Sequence, residues 1–418
     1  MKVLLINTSE RIGGAAVACN RLCEALNKHG IDATMLVRDK ISTNEHVTEL
    51  KRGFKLVRHF LWERFVIFLH NHFKKENIFK VDIANISTDI TLLPEFQEAD
   101  IIHLHWINQG MLSLQVIGKI LKSKKPVVWT MHDMWPATGI CHHARSCQAF
   151  HAECHHCQYL YRGGGKRDLS RKVFRRKKKT YAQHPIHFVA CSEWLKHEVS
   201  ASALLQGKDV RVIPNPINTE LFKPTDKQAA RMAMQLPADK KLVLFGSVKI
   251  TDKRKGIDYL IEACNLLAEQ HPELKEQIGI VVFGRQSDVL TNRLPFEVYP
   301  KNFILDETQL VQLYAAVDVY VTPSLEENLP NTIMEAMACG TPCVGFHVGG
   351  IPEMITHNEN GYIARYQDAE DLANGILQVL ANNCKPFGEG AVRKARQSYA
   401  EDVVAEQYIT LYKQLLTK

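Results

Sequence analysis

The chain lacks several things that would place it quickly. It has no run of about 20 apolar residues, the length a helix needs to span a bilayer, so no spanning helix is expected. It opens MKVLLINTSE, a strand followed by polar residues. That is not the charged start and apolar run of a secretory leader. With no leader, and eleven cysteines scattered through both halves, a cytoplasmic location with reduced thiols is expected. The dinucleotide fingerprint G-x-G-x-x-G is missing from the opening glycine loop. There is no clear Asp-x-Asp in a metal-binding loop either. The net charge of +7 is modest, and it hints at an acidic partner without demanding one. What is present is 418 residues, 45% hydrophobic and 23% charged. That is too long for one core and suits two domains.

The most informative stretch is residues 317–353, VDVYVTPSLEENLPNTIMEAMACGTPCVGFHVGGIPE. Residues 317–321 are β-branched and aromatic and read as a buried strand. Asn328 suits a helix N-cap and Pro330 its first turn. Ile333, Met334, Met337 and Ala338 then form an apolar helix face. Gly340 and Pro342 close the helix, and residues 343–346 read as the next strand. In such a strand–loop–helix–strand unit the ligand edge lies where the strand's carboxyl end meets the helix start. The amides of Asn328, Leu329 and Asn331 suit a phosphate there. Asn331, Thr332 and Glu335 share a helix face, and Glu335 is placed to accept bonds from ribose hydroxyls. Glu327 precedes the helix, eight positions before Glu335.

Earlier in the chain, residues 2–7 read as a strand, and a loop ending in Gly13-Gly14 leads into a helix over 15–28. Residues 56–73 are amphipathic, with Val57, Phe60, Leu61, Phe65, Phe68 and Leu69 at helical spacing. A core-packing helix and a surface helix that dips into lipid are both open. Two strands end in polar, aromatic clusters, His103, His105 and Trp106 in one and His132-Asp133-Met134-Trp135 in the other. Such clusters belong on the ligand side of a doubly wound sheet. A proline-rich passage from Pro214 to Pro224 reads as a hinge, giving domains at 1–215 and 216–397.

Cys141, Cys147, Cys154 and Cys157 lie close together among five histidines. A structural tetrahedral zinc, a pair of disulfides or a redox pair, and free thiols all remain open for them. A closed four-cysteine site would pin a loop and not catalyse. The basic run from Arg162 to Lys179, RGGGKRDLSRKVFRRKKK, has Asp168 as its only acid. Beside Tyr159, Tyr161, Leu169, Val173 and Phe174 it suits an anionic inner-leaflet surface. Without interleaved aromatic platforms it does not suit nucleic acid.

Glu327-x7-Glu335 followed by Ala336-Met337-Ala338-Cys339-Gly340-Thr341-Pro342 resembles family 4 of the retaining glycosyltransferases (group 1). The Asn328-Leu329-Pro330-Asn331 turn is similar to a subgroup from surface-polysaccharide synthesis. The resemblance implies the GT-B fold, two Rossmann-like doubly wound α/β domains facing an interdomain cleft. It also implies a last helix, residues 398–418, that crosses back to the first domain. Glu327 would lie by the donor sugar and Glu335 on the nucleotide ribose. Gly14 would approach the donor phosphates, His132 the donor sugar, and Asp133 and His105 the acceptor side. The family's Gly-Arg is Gly246-Ser247 here. Ser247 and Lys253 are then donor-side, and Lys255 takes the place of the family's lysine on the diphosphate.

The implied activity is transfer of a sugar, with retention, from a nucleotide-diphosphate donor, UDP before GDP. The acceptor is a hydroxyl of an oligosaccharide or a polyprenyl-diphosphate-linked sugar. No catalytic metal or other cofactor is expected. Two alternatives stand beside it: an epimerase or phosphorylase of the same fold, and a basic binding protein with an inert cleft.

Overall fold

The structure is a computed structural model describing residues 1–50, 54–381 and 384–417. The chain divides into two compact units, Met1–Pro214 with Val404–Lys418, and Asn215–Val403.

In the first unit the elements run β1 (Lys2–Ile6), α1 (Gly14–Lys28), β2 (Asp32–Val37), β3 (Val47–Glu49) and α2 (Phe54–His70). Next come α3 (Pro94–Glu98), β4 (Ile101–Leu104), α4 (Leu114–Lys122), β5 (Val127–Met131), α5 (Leu169–Tyr181), β6 (His187–Ala190), α6 (Glu193–Ser200) and β7 (Val210–Val212). The strands pair in parallel in the order β3-β2-β1-β4-β5-β6-β7. Residues 101–104 and 127–131 are wholly buried, as strands covered on both faces should be.

The second unit begins with α7 (Lys227–Ala233), β8 (Lys241–Lys249), α8 (Ile257–Gln270), β9 (Ile278–Arg285), β10 (Glu297–Lys301) and α9 (Glu307–Ala316). It continues with β11 (Val319–Thr322), α10 (Asn331–Ala338), β12 (Cys343–Phe346), α11 (Ile351–Met354) and β13 (Gly361–Ala364), then α12 (Ala369–Ala381) and α13 (Lys385–Tyr399). Its parallel sheet has the order β10-β9-β8-β11-β12-β13.

A last helix, α14 (Glu401–Leu416), returns the chain to the first unit. There the Tyr412 hydroxyl is 2.7 Å from His103 Nδ1, and Tyr408 is 2.8 Å from Thr130 Oγ1. The return that the sequence places at 398 falls at Val404 in this division.

Both units are therefore doubly wound α/β sheets. Strand order reverses between β1 and β4 in the first and between β8 and β11 in the second. Loops at the carboxyl ends of those strands are where such sheets bind ligands. One expected boundary moves: α10 starts at Asn331, with Pro330 at the N-cap position, not Asn328. The extended Pro330 (φ −69°, ψ 121°) keeps the preceding residues out of the helix.

Candidate active site

In the second unit the loop after β8 meets the loop after β11. Gly256 holds them together. It is left-handed (φ +70°), and a Cβ there would overlap the Pro323 carbonyl. Leu325 N donates to Arg254 O at 2.7 Å. This close approach brings Lys255 Nζ onto Glu327 Oε1, and Ser324 Oγ donates to the same oxygen at 3.2 Å. Gly349 (φ +59°) packs the loop before α11 under Glu327, its missing Cβ leaving room for the Glu327 carbonyl. Lys255 and Glu327 are partly exposed, with side chains 30% and 14% accessible, as groups that meet both each other and a ligand must be.

Glu335, on α10, is buried, and its Oε2 accepts from the Tyr314 hydroxyl at 2.9 Å. Burial, with Glu335 adjacent, pushes the Tyr314 phenol well above its ordinary range, so it stays a donor. Thr332 hydrogen-bonds Tyr320. Asn215 donates to Asn331 Oδ1 at 3.1 Å and to the Leu329 carbonyl at 3.4 Å, fixing the turn before α10. Asn328 lies half-buried in that turn. Ser247, near the end of β8, is 7% exposed, and its Oγ has no hydrogen-bond partner among the described residues. Lys253 is exposed at the start of the β8 loop, on the Lys255 side.

In the first unit the loop after β1 and the ends of β4 and β5 converge. Trp106 N donates to Asn7 Oδ1 at 2.9 Å, and Thr8 Oγ1 bonds the Trp106 and Asn108 carbonyls at 3.0 and 2.9 Å. Gly14 opens α1 behind Gly13 (φ +96°) and is exposed. His105 Nδ1 lies 3.0 Å from His132 Nε2, and His132 Nδ1 lies 3.6 Å from the Cys191 thiol. Both ring nitrogens of His132 therefore have protein partners. Burial lowers His132 to about 4 and His105 well below the ordinary histidine range, so both rings are neutral near pH 7. His105 Nε2 is buried and has no partner among the described residues.

Asp133 accepts from Trp106 Nε1 at 2.9 Å and from Trp135 N at 2.8 Å, and pairs with His142 Nδ1 at 2.7 Å. Burial opposes its charge, but His142 and these donors hold the carboxyl down to about 2. His142 Nε2 reaches Asp82 at 2.7 Å. Sequence reasoning grouped His142 with the cysteines and passed over Asp82. Only the fold shows that they brace Asp133. Tyr314, Ser324 and Asn215 were missed as well, being ordinary residues until the loops are folded.

Among the described residues no group of three or more His, Cys, Asp or Glu is placed to hold a metal ion. Cys141, Cys154 and Cys157 are buried and Cys147 is half-buried, all as free thiols. Burial pushes Cys141 to about 11 and Cys154 to about 12, so both stay protonated. Burial lowers the neighbouring Lys177 to about 7, and Cys141 and Cys154 act against that shift. The basic run also differs from expectation. In α5, Leu169, Val173 and Phe174 face the core and Arg171 and Arg175 engage Glu153, which leaves its outer side cationic without an apolar partner.

Comparison with known proteins agrees with the fold. The Glycosyltransferase Family 4 profile matches residues 12–221, and the "Glycosyl transferases group 1" profile matches residues 239–382. A D-inositol 3-phosphate glycosyltransferase of Catenulispora acidiphila is 31% identical over 215 residues. That match covers 47% of this chain and spans about half (50%) of the relative's length. Sucrose-phosphate synthase from Thermosynechococcus elongatus superposes with a TM-score of 0.68 at 21% identity, over 100% of this chain and 99% of that one. HepE of Anabaena, solved in complex with UDP-glucose, gives a TM-score of 0.65 at 17% identity, over 99% and 100%. Two parallel doubly wound units, the Glu327-x7-Glu335 loop at a switch point and a profile match over half the sequence make this chain a member of glycosyltransferase family 4, with the GT-B fold.

Proposed function

We propose that the chain transfers a sugar from a nucleotide-diphosphate donor to an acceptor hydroxyl, with retention and without a metal at the reacting centre. The observation that carries this reading is the contact of Lys255 with Glu327 at the β8–β11 switch point. It pairs a cation suited to the diphosphate with a carboxylate suited to the sugar. The positive end of the α10 dipole begins beside them. The orphaned Ser247 hydroxyl gives a second polar contact where relatives of the family carry arginine.

In the proposed reaction the bond from the anomeric carbon to the phosphate oxygen breaks, and charge grows on the leaving diphosphate. Lys255 and the α10 amides stabilise that charge. The leaving oxygen takes the proton of the attacking hydroxyl, which adds to the same face of the sugar. Glu327, held by Lys255 and Ser324, positions the donor sugar and forms no covalent bond. Glu335, held by Tyr314, receives the ribose hydroxyls. In the first unit, neutral His132 and His105 offer hydrogen bonds to sugar hydroxyls once a ligand displaces their mutual bond, and ionised Asp133 serves the acceptor side. UDP is preferred over GDP because HepE, which shares the fold, was solved with UDP-glucose. The acceptor proposed is an oligosaccharide or polyprenyl-diphosphate-linked sugar in cell-surface polysaccharide synthesis.

A thermal-shift screen of UDP, GDP and their sugars tests the donor. A nucleotide at a hundred times its dissociation constant adds about 2.7 kcal/mol, and Glu335→Ala should abolish that gain. Release of UDP with the α-sugar on the acceptor confirms transfer, whereas free monosaccharide without an acceptor product overturns it.

A further inference from the structure

Helix α2 has its polarity reversed. Its inner side carries Leu56 and Ile67, but also two charged residues, Glu63 and Arg64. Glu63 is 0% exposed and accepts from the amides of Ile83 (2.9 Å) and Ala84 (2.7 Å). Arg64 donates to the carbonyls of Ile78 (2.6 Å) and Val81 (3.1 Å) and pairs with Asp82. With its core side given to ions, the helix turns its apolar side outward. Val57, Leu61, Phe65 and Leu69, four apart and so in one stripe, are 57%, 57%, 47% and 40% exposed. Trp62 (51%) and Phe73 (67%) flank them. The core-packing reading of this segment fails for those residues.

Cations rim the stripe. Arg58, Lys74, Lys75 and Lys80 are exposed along it and beyond its end. The start of the basic run docks against the same end: Tyr161 N donates to Asn71 Oδ1 at 2.6 Å, the Tyr161 ring lies 5.1 Å from that of His72, and exposed Arg162 lies 5.1 Å above Tyr161. Among the described residues no helix is long and apolar enough to cross a membrane.

We infer that α2 lies in the interfacial layer of an anionic phospholipid leaflet, with its apolar stripe among the acyl chains and its cationic rim on the headgroups. An outward apolar face, a tryptophan at its edge and a basic border fit such a surface. They fit a second copy of this chain poorly, because a two-fold pairing of the same patch sets Arg58, Lys74 and Lys75 of both copies close together. The surface lies in the first unit alone and stands apart from the transfer reading. α2 supplies the apolar component that α5 does not.

The test uses the full chain with vesicles of phosphatidylcholine alone and with about a third phosphatidylglycerol. The parent should co-sediment with the anionic vesicles and lose that binding in high salt. Brominated lipid should quench a fluorescence component that Trp62→Phe removes. Leu61→Ser with Phe65→Ser, and separately Lys74→Glu with Lys75→Glu, should each weaken binding by about tenfold or more. Transfer to a soluble acceptor should be unchanged in both, which separates this surface from the active site. The charge-reversal pair touches no packed side chain and reports even if the serine pair unfolds. Equal vesicle binding by parent and variants overturns the inference. So does a parent that ignores vesicles but forms a dimer that the serine pair breaks.

Discussion

Asp133 and His142 share a 2.7 Å hydrogen bond, and the far side of the His142 ring reaches Asp82 at the same distance. Burial works against a charged ring, yet the two carboxylates raise His142 to about 10. A raised folded value contributes stability that is fully present below the unfolded value of about 6.5. That stability is lost as pH rises through about 10.

The first prediction follows from this sign. His142→Ala leaves two buried carboxylates without the cation between them and should cost about 3–5 kcal/mol near neutral pH. Urea midpoints measured from pH 6 to 10 should fall with pH in the parent more than in the variant. Parallel curves would show that His142 carries no buried charge.

Lys255→Ala should lower transfer by about 10²–10³-fold, the usual scale for losing a group that meets developing charge. Lys255→Arg should recover part of it, since the fork keeps the charge but not the point contact with Glu327. UDP release at saturating donor is the measurement. A kcat within a factor of a few of the parent would remove Lys255 from the reacting centre.

The Tyr314 phenol holds one oxygen of Glu335, so the pair should act together on nucleotide binding. Tyr314→Phe removes that bond and should cost about 1 kcal/mol of stability along with some UDP affinity. Glu335→Ala strands the buried hydroxyl, should cost about 1–3 kcal/mol, and should abolish UDP binding. Calorimetry with UDP distinguishes them. Unchanged affinity in both would place the ribose elsewhere.

The opening strand, the 343–346 strand and the helix after Gly13-Gly14 were legible because apolar runs and helical periodicity report burial directly. Glu327, Glu335 and Lys255 came from the resemblance, and the contact of Lys255 with Glu327 is a feature that only the folded loops show. What failed did so where tertiary contacts override pattern. Val57, Leu61, Phe65 and Leu69 have the spacing of a core stripe, but Glu63 and Arg64 take the inward positions because Asp82 and the Ile83 and Ala84 amides await them. The Cys141–Cys157 spacing left a zinc, disulfides or a redox pair, and free thiols open, and in the folded loops all four are free thiols. The bracing of Asp133 by His142 joins residues with no local signature. No spacing rule finds it.

The left-handed glycine at 256 sets the distance between the two donor loops, and substitution there should cost more than backbone strain. Alanine at φ +70° carries a penalty of about 1–2 kcal/mol for its conformation alone. Gly207, at φ +74° with nothing within 4 Å of an added Cβ, carries that penalty and nothing else. Gly256→Ala also drives its methyl into the Pro323 carbonyl, so the Lys255 loop must retreat from the end of β11. Gly207→Ala should therefore lower the melting temperature by a few degrees and leave transfer intact. Gly256→Ala should lower it further and reduce kcat disproportionately, because Lys255 no longer reaches Glu327. If both alanines cut stability equally and spare kcat, the Lys255–Glu327 contact is not what the glycine holds in place.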